Sequence, residues 1–188
     1  MTFEIRPLGE IFTIKKGRKP TLHLVKKPGD VPYLIAKVMR GVQDPEWVRP
    51  DDPNAVHVTA NEAIIICDGS NSGEVFSGFT GALSSTMAKI EPKALIDQTY
   101  LRRFLESNSE LFAGTKTGTA IPHLDLESMF KLLIPLPPLP EQQRIVRLLD
   151  EAFEGIATSE TLAEQKLVLL KQLKASLLAQ AFAGELKK

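Results

Sequence analysis

The sequence predicts an α+β fold, in which a mixed, curled β-rich domain is followed by one long C-terminal α-helix. Short β-rich runs separated by Gly, Asn and Pro fill the chain up to about Pro140. From Glu141 to Ala183, by contrast, apolar residues recur every three or four positions. The proline-rich stretch IPLPPLPEQQ joins the two regions. We therefore expect two domains, residues 1–140 and residues 141–188.

Four stretches predict all but the last of the strands of the first domain. They are EIFTIKKG, VPYLIAKVM, NEAIIICDGSNSGEVFSG and TGALSSTMAKI, and the third contains a strand, a polar turn and a second strand. A helix is expected in DQTYLRRFLESNSELF, with Asp97 as the N-cap. A long loop of small and polar residues follows, and MFKLLIPLPP predicts a last strand that the prolines end.

The second domain is predicted to be one amphipathic helix of about 43 residues, roughly 65 Å long. Pro140 suits its first turn, and Gly184 is placed like the glycine that ends a helix. Gly155, Thr158 and Ser159 interrupt the apolar stripe, so a bend or a junction is expected near them. The leucine-rich face that follows must pack on something, which implies a second copy or another protein.

The composition is that of an ordinary folded protein, with 43% hydrophobic and 24% charged residues. No run approaches the roughly 18 apolar residues of a membrane span, and the N-terminus lacks the features of a secretory signal. We therefore expect a cytoplasmic protein with no membrane partner. The single cysteine, Cys67, has no disulfide partner and is expected in a buried strand.

The formal net charge of zero conceals an uneven distribution. Residues 1–50 carry ten Lys and Arg against five Asp and Glu, whereas residues 51–100 carry two against seven. A basic surface can therefore exist in this neutral chain, although a solvated loop is the commonest explanation of a run such as IKKGRKP.

No catalytic or metal-binding pattern is recognisable in the sequence. The three histidines are isolated from one another and from Cys67, and the glycine-rich stretch CDGSNSGEVFSG lacks the lysine of a phosphate-binding loop. The acidic pair Asp51 and Asp52 has no neighbouring acid-x-lysine to complete a nuclease site. We expect no cofactor and no enzymatic activity of the chain itself. The residue chemistry favours DNA binding but leaves protein binding open.

The stretch IPLPPLPEQQRIVRLLDEAF resembles the junction between a target recognition domain and a conserved spacer helix in the specificity subunit of type I restriction-modification systems. The segments LGEIFTIKKGRKP, VPYLIAKVMRG, CDGSNSGEVFSGFTGALSSTMAKI and GTKTGTAIPHLDLESMFKLLIPLPPLPEQQ are similar to the family pattern, in the family's order. The resemblance extends over essentially the whole chain.

The resemblance implies a DNA-recognition role. Specificity subunits bind bipartite sites in double-stranded DNA through two recognition domains, which two helices separate by packing as an antiparallel coiled coil. These helices dock the methyltransferase (modification) subunits, and the restriction/translocase subunits join the complex. Methyl transfer from S-adenosylmethionine and ATP-dependent cleavage belong to those partners, so the specificity subunit is not an enzyme.

This chain departs from the family pattern because it has one recognition domain and one helix. Our hypothesis is a homodimer through the C-terminal helices, in which a two-fold axis relates two identical half-sites. The alternatives are a fragment or interchangeable half that needs a different partner half, and an interaction module that uses the long helix as a scaffold without binding DNA.

The residues expected to contact DNA lie in three loops and one short run. They are Lys15, Lys16, Arg18, Lys19, Lys37, Arg40, Ser70, Asn71, Ser72, Lys116, Thr117, Gly118 and Thr119. The residues expected at the dimer or partner interface are Leu162, Leu169, Leu170, Leu173 and Leu177.

Overall fold

The computed structural model describes residues 3–112 and 122–184. The chain divides into two compact units, Met1–Gln143 and Arg144–Lys188, and the predicted boundary at 140/141 lies close to this division. Eleven strands and six helices are found in the described residues: β1 Glu4–Pro7, α1 Leu8–Ile11, β2 Phe12–Lys16, β3 Leu22–His23, β4 Val31–Leu34, α2 Ala36–Met39, β5 Trp47–Val48, β6 His57–Val58, β7 Ile64–Ile66, β8 Val75–Phe76, β9 Gly81–Leu83, β10 Met87–Pro92, α3 Gln98–Ser107, α4 Ser109–Phe112, α5 Leu126–Lys131, β11 Leu133–Leu136 and α6 Leu139–Phe182.

The strands of the first unit form three small sheets. β2, β10, β7 and β8 are hydrogen-bonded in that order, and all their pairings are antiparallel. The second sheet has the order β3-β5-β4-β9-β6, with one parallel pair between β4 and β9. β1 pairs with β11, which brings the two ends of the unit together. The predicted α+β class with a mixed, β-rich domain is confirmed.

The core lies between the two larger sheets. Ile64 and Ile66 of β7 pack with Leu34, Leu83 and Met87, and these five side chains belong to one buried cluster. β7 is buried along its whole length, which explains why its sequence shows an unbroken apolar run instead of alternation. Cys67, directly after β7, is also buried, and burial raises its thiol pKa to about 11.

Three predicted strands are partly helical. In EIFTIKKG the first two residues belong to α1, and the strand is Phe12–Lys16. In VPYLIAKVM only Val31–Leu34 forms a strand, because Ala36–Met39 folds into the single turn of α2. In MFKLLIPLPP the first three residues belong to α5, and the strand is confined to Leu133–Leu136. Asp125 caps α5 by accepting a hydrogen bond from the Ser128 amide, just as Asp97 caps α3 by accepting from Tyr100 N.

The proline-rich joint is fixed by side-chain hydrogen bonds. Gln142, in the first turns of α6, is only 2% exposed. Its Oε1 accepts from the Asp97 amide at 2.8 Å, and its Nε2 donates to the Pro137 carbonyl at 2.8 Å. The Tyr100 hydroxyl donates to the Pro135 carbonyl at 3.0 Å. The end of β11 and the start of α6 are therefore both attached to the beginning of α3.

The second unit is formed by α6, which continues without interruption from Leu139 to Phe182. The junction expected near Gly155 does not break it, and Gly184 follows with the positive φ predicted for a terminating glycine. Its 44 residues correspond to about 66 Å. Within the described part of the chain, no helix is long and apolar enough to cross a membrane.

Candidate nucleic-acid interface

The basic loop at the end of β2 is held close to the β9–β10 turn by Gly17. The Gly17 amide donates to the Met87 carbonyl at 2.8 Å, and a Cβ at this position would lie 2.1 Å from the Ser84 carbonyl oxygen. Only glycine permits this approach. The neighbours Lys15, Lys16, Arg18 and Lys19 are exposed. The segment Ile14–Arg18 lines an open groove of about 780 Å³ together with Pro53, Ala55, Val56 and Ser85.

Asp68 connects this basic loop to two other segments. Its Oδ2 lies 2.8 Å from Lys16 Nζ, and its Oδ1 lies 2.8 Å from Nδ1 of His123. The backbone supports the same arrangement, because Gly69 N donates to the Pro122 carbonyl and Leu124 N donates to the Cys67 carbonyl. The end of β2, the turn after β7 and the residues before α5 therefore meet at one carboxylate.

The Asp68 carboxylate is ionised in this environment. Partial burial raises its pKa, but the hydrogen bonds from Lys16 and His123, together with their charges, outweigh burial and hold the pKa below its ordinary value. The side chain of Asp68 is 20% exposed, so it remains in contact with solvent beside the basic loop.

A second acidic residue pairs with a predicted DNA-binding cation at the other end of the same turn. Glu74 accepts a hydrogen bond from Nη2 of Arg40, which follows α2. The Arg40 guanidinium also lies 5.8 Å from the ring centroid of Phe76. Lys37, one helical turn before Arg40, is exposed. Asp68 and Glu74 thus place Lys16 and Arg40 at the two ends of the turn between β7 and β8.

The hairpin turn between these acids is polar but only partly accessible. Ser70 and Asn71 are exposed, and the Ser70 hydroxyl donates to Asn71 Oδ1 at 2.9 Å. Ser72, expected at the surface, is 5% exposed, so its side chain is withdrawn from solvent. Gly69, with φ 109°, provides the left-handed conformation that starts the turn. The predicted contacts Lys116, Thr117, Gly118 and Thr119 lie outside the described residues.

The histidines and the acidic pair have structural roles. His23 contacts Asp30, His123 contacts Asp68, and His57 contacts the Pro50 carbonyl. Asp52 accepts hydrogen bonds from the amides of Thr21 and Asn54, and these bonds lower its pKa. Across residues 3–112 and 122–184, no three His, Cys, Asp or Glu side chains are grouped so that they could hold a metal ion.

The predicted interface leucines are all on the exposed surface of α6. Every residue from 151 to 184 is exposed, and this includes several large apolar side chains. Those predicted at the interface, Leu162, Leu169, Leu170, Leu173 and Leu177, are between 44% and 64% exposed. An apolar surface of this extent is typical of an interface.

Comparison with known proteins relates this architecture to type I restriction systems. Residues 1–167 match the family model described as the type I restriction modification DNA specificity domain. The chain is 33% identical over 177 residues to the MjaVIII specificity subunit of Methanocaldococcus jannaschii, covering 91% of this chain and 41% of the relative. It is 33% identical over 110 residues to the EcoDI specificity subunit of Escherichia coli, and this match covers 57% of this chain and 24% of the relative.

Solved structures share the fold. One comes from work on complex assembly and conformational transition of the type I R-M system; it has a TM-score of 0.78 at 21% identity, covering 98% of this chain and 46% of that chain. The HsdS subunit of Thermoanaerobacter tengcongensis has a TM-score of 0.67 at 22% identity, and the match covers 98% of this chain and 45% of the HsdS chain. The chain thus spans less than half the length of these proteins.

The relatives are named specificity subunits, which agrees with the prediction that the chain is not itself an enzyme. The long helix that follows the β-rich unit is also common to this chain and the solved structures that share its fold. With a family model matched over residues 1–167, the chain belongs to the family of type I restriction modification DNA specificity domains.

Proposed function

We propose that this chain recognises one half of a bipartite sequence in double-stranded DNA and determines where a type I restriction-modification complex acts. In this proposal the first unit contacts the DNA. The helix α6 binds a second copy of the chain, and the assembled helices dock the methyltransferase and restriction subunits.

The observation that carries the proposal is the convergence of basic and polar segments at the β7–β8 hairpin. Lys16 and Arg40 come from different parts of the chain, yet each pairs with an acid beside the turn that presents Ser70 and Asn71. Cations fix a protein on the phosphates, whereas short polar side chains can contact base edges. The arrangement supplies both kinds of contact in one place.

A bipartite site needs a second recognition unit, and in this proposal a second copy of the chain provides it. The chain matches 41% of the MjaVIII subunit and 46% of one solved chain, less than half of each. A two-fold dimer would recognise the same half-site twice, in inverted orientation.

The charges along α6 favour an antiparallel pairing of these helices. Residues 150–164 contain five acidic and no basic residues, whereas residues 165–182 contain three lysines and no acidic residue. Antiparallel helices would place the acidic half of each copy beside the basic half of the other. A parallel pair would place like charges side by side, which costs free energy.

The apolar positions suggest where the two-fold axis would cross. Leu149, Ile156, Ala163, Leu170 and Leu177 are spaced seven residues apart and are symmetric about Ala163. An axis near Ala163 would place Ile156 beside Leu170 of the second copy, and the small alanine would allow close helix packing.

The test is to purify the chain with the methyltransferase subunit of the same system and to sequence the methylated positions in exposed DNA. The proposal expects an inverted repeat of one half-site. Methylation of two different half-sites would identify a different partner half. Absence of sequence-dependent methylation, with DNA binding that does not weaken as salt is added, would favour an interaction module instead.

A further inference from the structure

A second surface in the first unit combines exposed apolar and basic side chains. The segment from Leu24 to Asp30 connects β3 to β4, and both strands pair with β5. Leu24 is 82% exposed and Val25 is 74% exposed. Lys26 and Lys27 follow them and are also exposed. We call Leu22–Asp30 the 22–30 loop.

The 22–30 loop has a defined shape because Asp30 closes it. The Asp30 carboxylate lies 2.6 Å from His23 Nε2 and accepts from the Lys27 amide at 2.7 Å. The Asp30 amide in turn donates to the Lys27 carbonyl at 3.1 Å. The two ends of the loop are therefore joined, and Leu24 and Val25 are held outward on a preformed turn.

The exposed charge of this loop is entirely positive. Its one acidic residue, Asp30, is buried and paired with His23. Lys26 is positioned by Trp47, since its Nζ lies 4.4 Å from the centroid of that ring. The chain reaches the loop directly from the basic run Lys15–Lys19, and Thr21 N is fixed on the way by Asp52 Oδ2 at 2.9 Å.

We propose that the 22–30 loop is a second DNA-contacting element, in which Leu24 and Val25 contact the methyl group of a thymine while Lys26 and Lys27 contact phosphates. The positive charge favours a polyanion over a protein surface as the occupant. Apolar side chains recognise thymine by its C5 methyl group, the one apolar feature of the major groove. This inference rests on the proposed function, because it assigns base readout within the same DNA complex.

The experiment uses the full chain with its methyltransferase and the half-site that methylation mapping identifies. Duplexes in which single thymines are replaced by deoxyuridine lack only the methyl group. We expect one such replacement to weaken binding of the wild-type chain about fourfold, the value of one buried methylene-sized group. In the variant L24S/V25S, binding should be weaker and indifferent to that replacement.

The matched control is Leu95→Ser, because Leu95 is also 82% exposed but lies in the segment between β10 and α3. This variant should keep the wild-type response to deoxyuridine. Equal denaturation midpoints of the three proteins would show that the substitutions leave the fold intact.

Two results would overturn the inference while leaving the proposed function in place. One is wild-type binding that is unaffected by deoxyuridine at every thymine of the site. The other is an L24S/V25S variant that keeps its DNA affinity and sequence preference but loses the methyltransferase, which would make the loop a protein contact. If the wild-type chain showed no sequence-dependent binding at all, the proposed function itself would fail.

Discussion

Lys16 Nζ lies 2.8 Å from Asp68 Oδ2, so a cation that we assign to DNA contact is already ion-paired within the protein. The lysine side chain is half exposed, and ion pairs of this kind stabilise a protein by about 1 kcal/mol or less. A DNA phosphate can therefore compete for the ammonium group at little cost. The pair would hold the Lys16 side chain in place before DNA arrives.

Lys16→Ala should weaken binding to all DNA sequences about equally, because phosphate contacts carry no base information. The slope of log affinity against log salt should decrease in magnitude by about 1. Fluorescence anisotropy titrations at several salt concentrations measure both quantities. Lys131→Ala is the control, since this exposed lysine pairs with Glu127 on its own helix α5 and makes no ion pair with Asp68 or Glu74. A changed sequence preference in Lys16→Ala would contradict the assigned role.

Asp68→Asn should lower the free energy of unfolding at pH 7 by about 1–2 kcal/mol, because the negative charge is lost at both contacts and one amide oxygen replaces the two carboxylate oxygens that face Lys16 and His123. Chemical denaturation of the variant and the wild type gives this difference. An unchanged denaturation midpoint would show that the contacts at Asp68 do not contribute to stability.

The contribution of Asp68 should depend on pH in a specific direction. Its pKa is lower in the folded protein than in the unfolded chain, where a carboxyl group titrates near about 3.9. The stabilisation is therefore fully present above about pH 4 and is lost as the pH falls through the lower folded-state value. The stability difference between wild type and Asp68→Asn should shrink below about pH 4, while other carboxylates affect both proteins alike.

Gln142→Ala should destabilise the first unit by about 2–4 kcal/mol, since it leaves the partly buried Asp97 amide and the buried Pro137 carbonyl without their partner. Gln143→Ala, at the exposed neighbouring position, should change the stability by less than about 0.5 kcal/mol. Denaturation curves of the two variants compare them directly. Equal effects would mean that the Gln142 hydrogen bonds are not important for the joint.

Leu173→Glu should weaken self-association about 100-fold, because each dimer loses two buried leucines. Gln172→Glu is the matched control: it adds the same charge one residue away, about 100° around the helix. Sedimentation velocity over a range of concentrations measures the dimer dissociation constant. If both variants associate like the wild type, Leu173 lies outside the interface.

The sequence predicted secondary structure best where an element is long or where a capping residue marks the end of a helix. The 3.6-residue period of α6 persists for 44 residues, and the capping function of Asp97 depends only on its own helix. The single turn of α2, at Ala36–Met39, was missed because four residues are too few to show a helical period. The N-cap of α5 could have been recognised in the sequence. Asp125 lies three residues before Ser128, which is the spacing at which an N-cap side chain accepts a hydrogen bond from a backbone amide.

The candidate interface was less predictable, because its organising contacts connect distant parts of the chain. Asp68 and His123 are separated by 55 residues, and no periodicity or local motif indicates that they meet at Lys16. Composition could identify a polar turn at Ser70–Ser72, but it could not indicate that Ser72 faces inward. Side-chain direction in an irregular turn depends on the hydrogen bonds of that turn, which only the structure provides.

The exposure of α6 has a consequence for the amount of this protein in a cell. A helix whose residues from 151 to 182 are all exposed gains little from packing, so in a lone chain it would unwind often and be open to proteases. Pairing would bury its apolar side and protect it. Chains made in excess of their partners would then be removed by degradation, so protein turnover would adjust the supply of recognition domains to the number of assembled complexes.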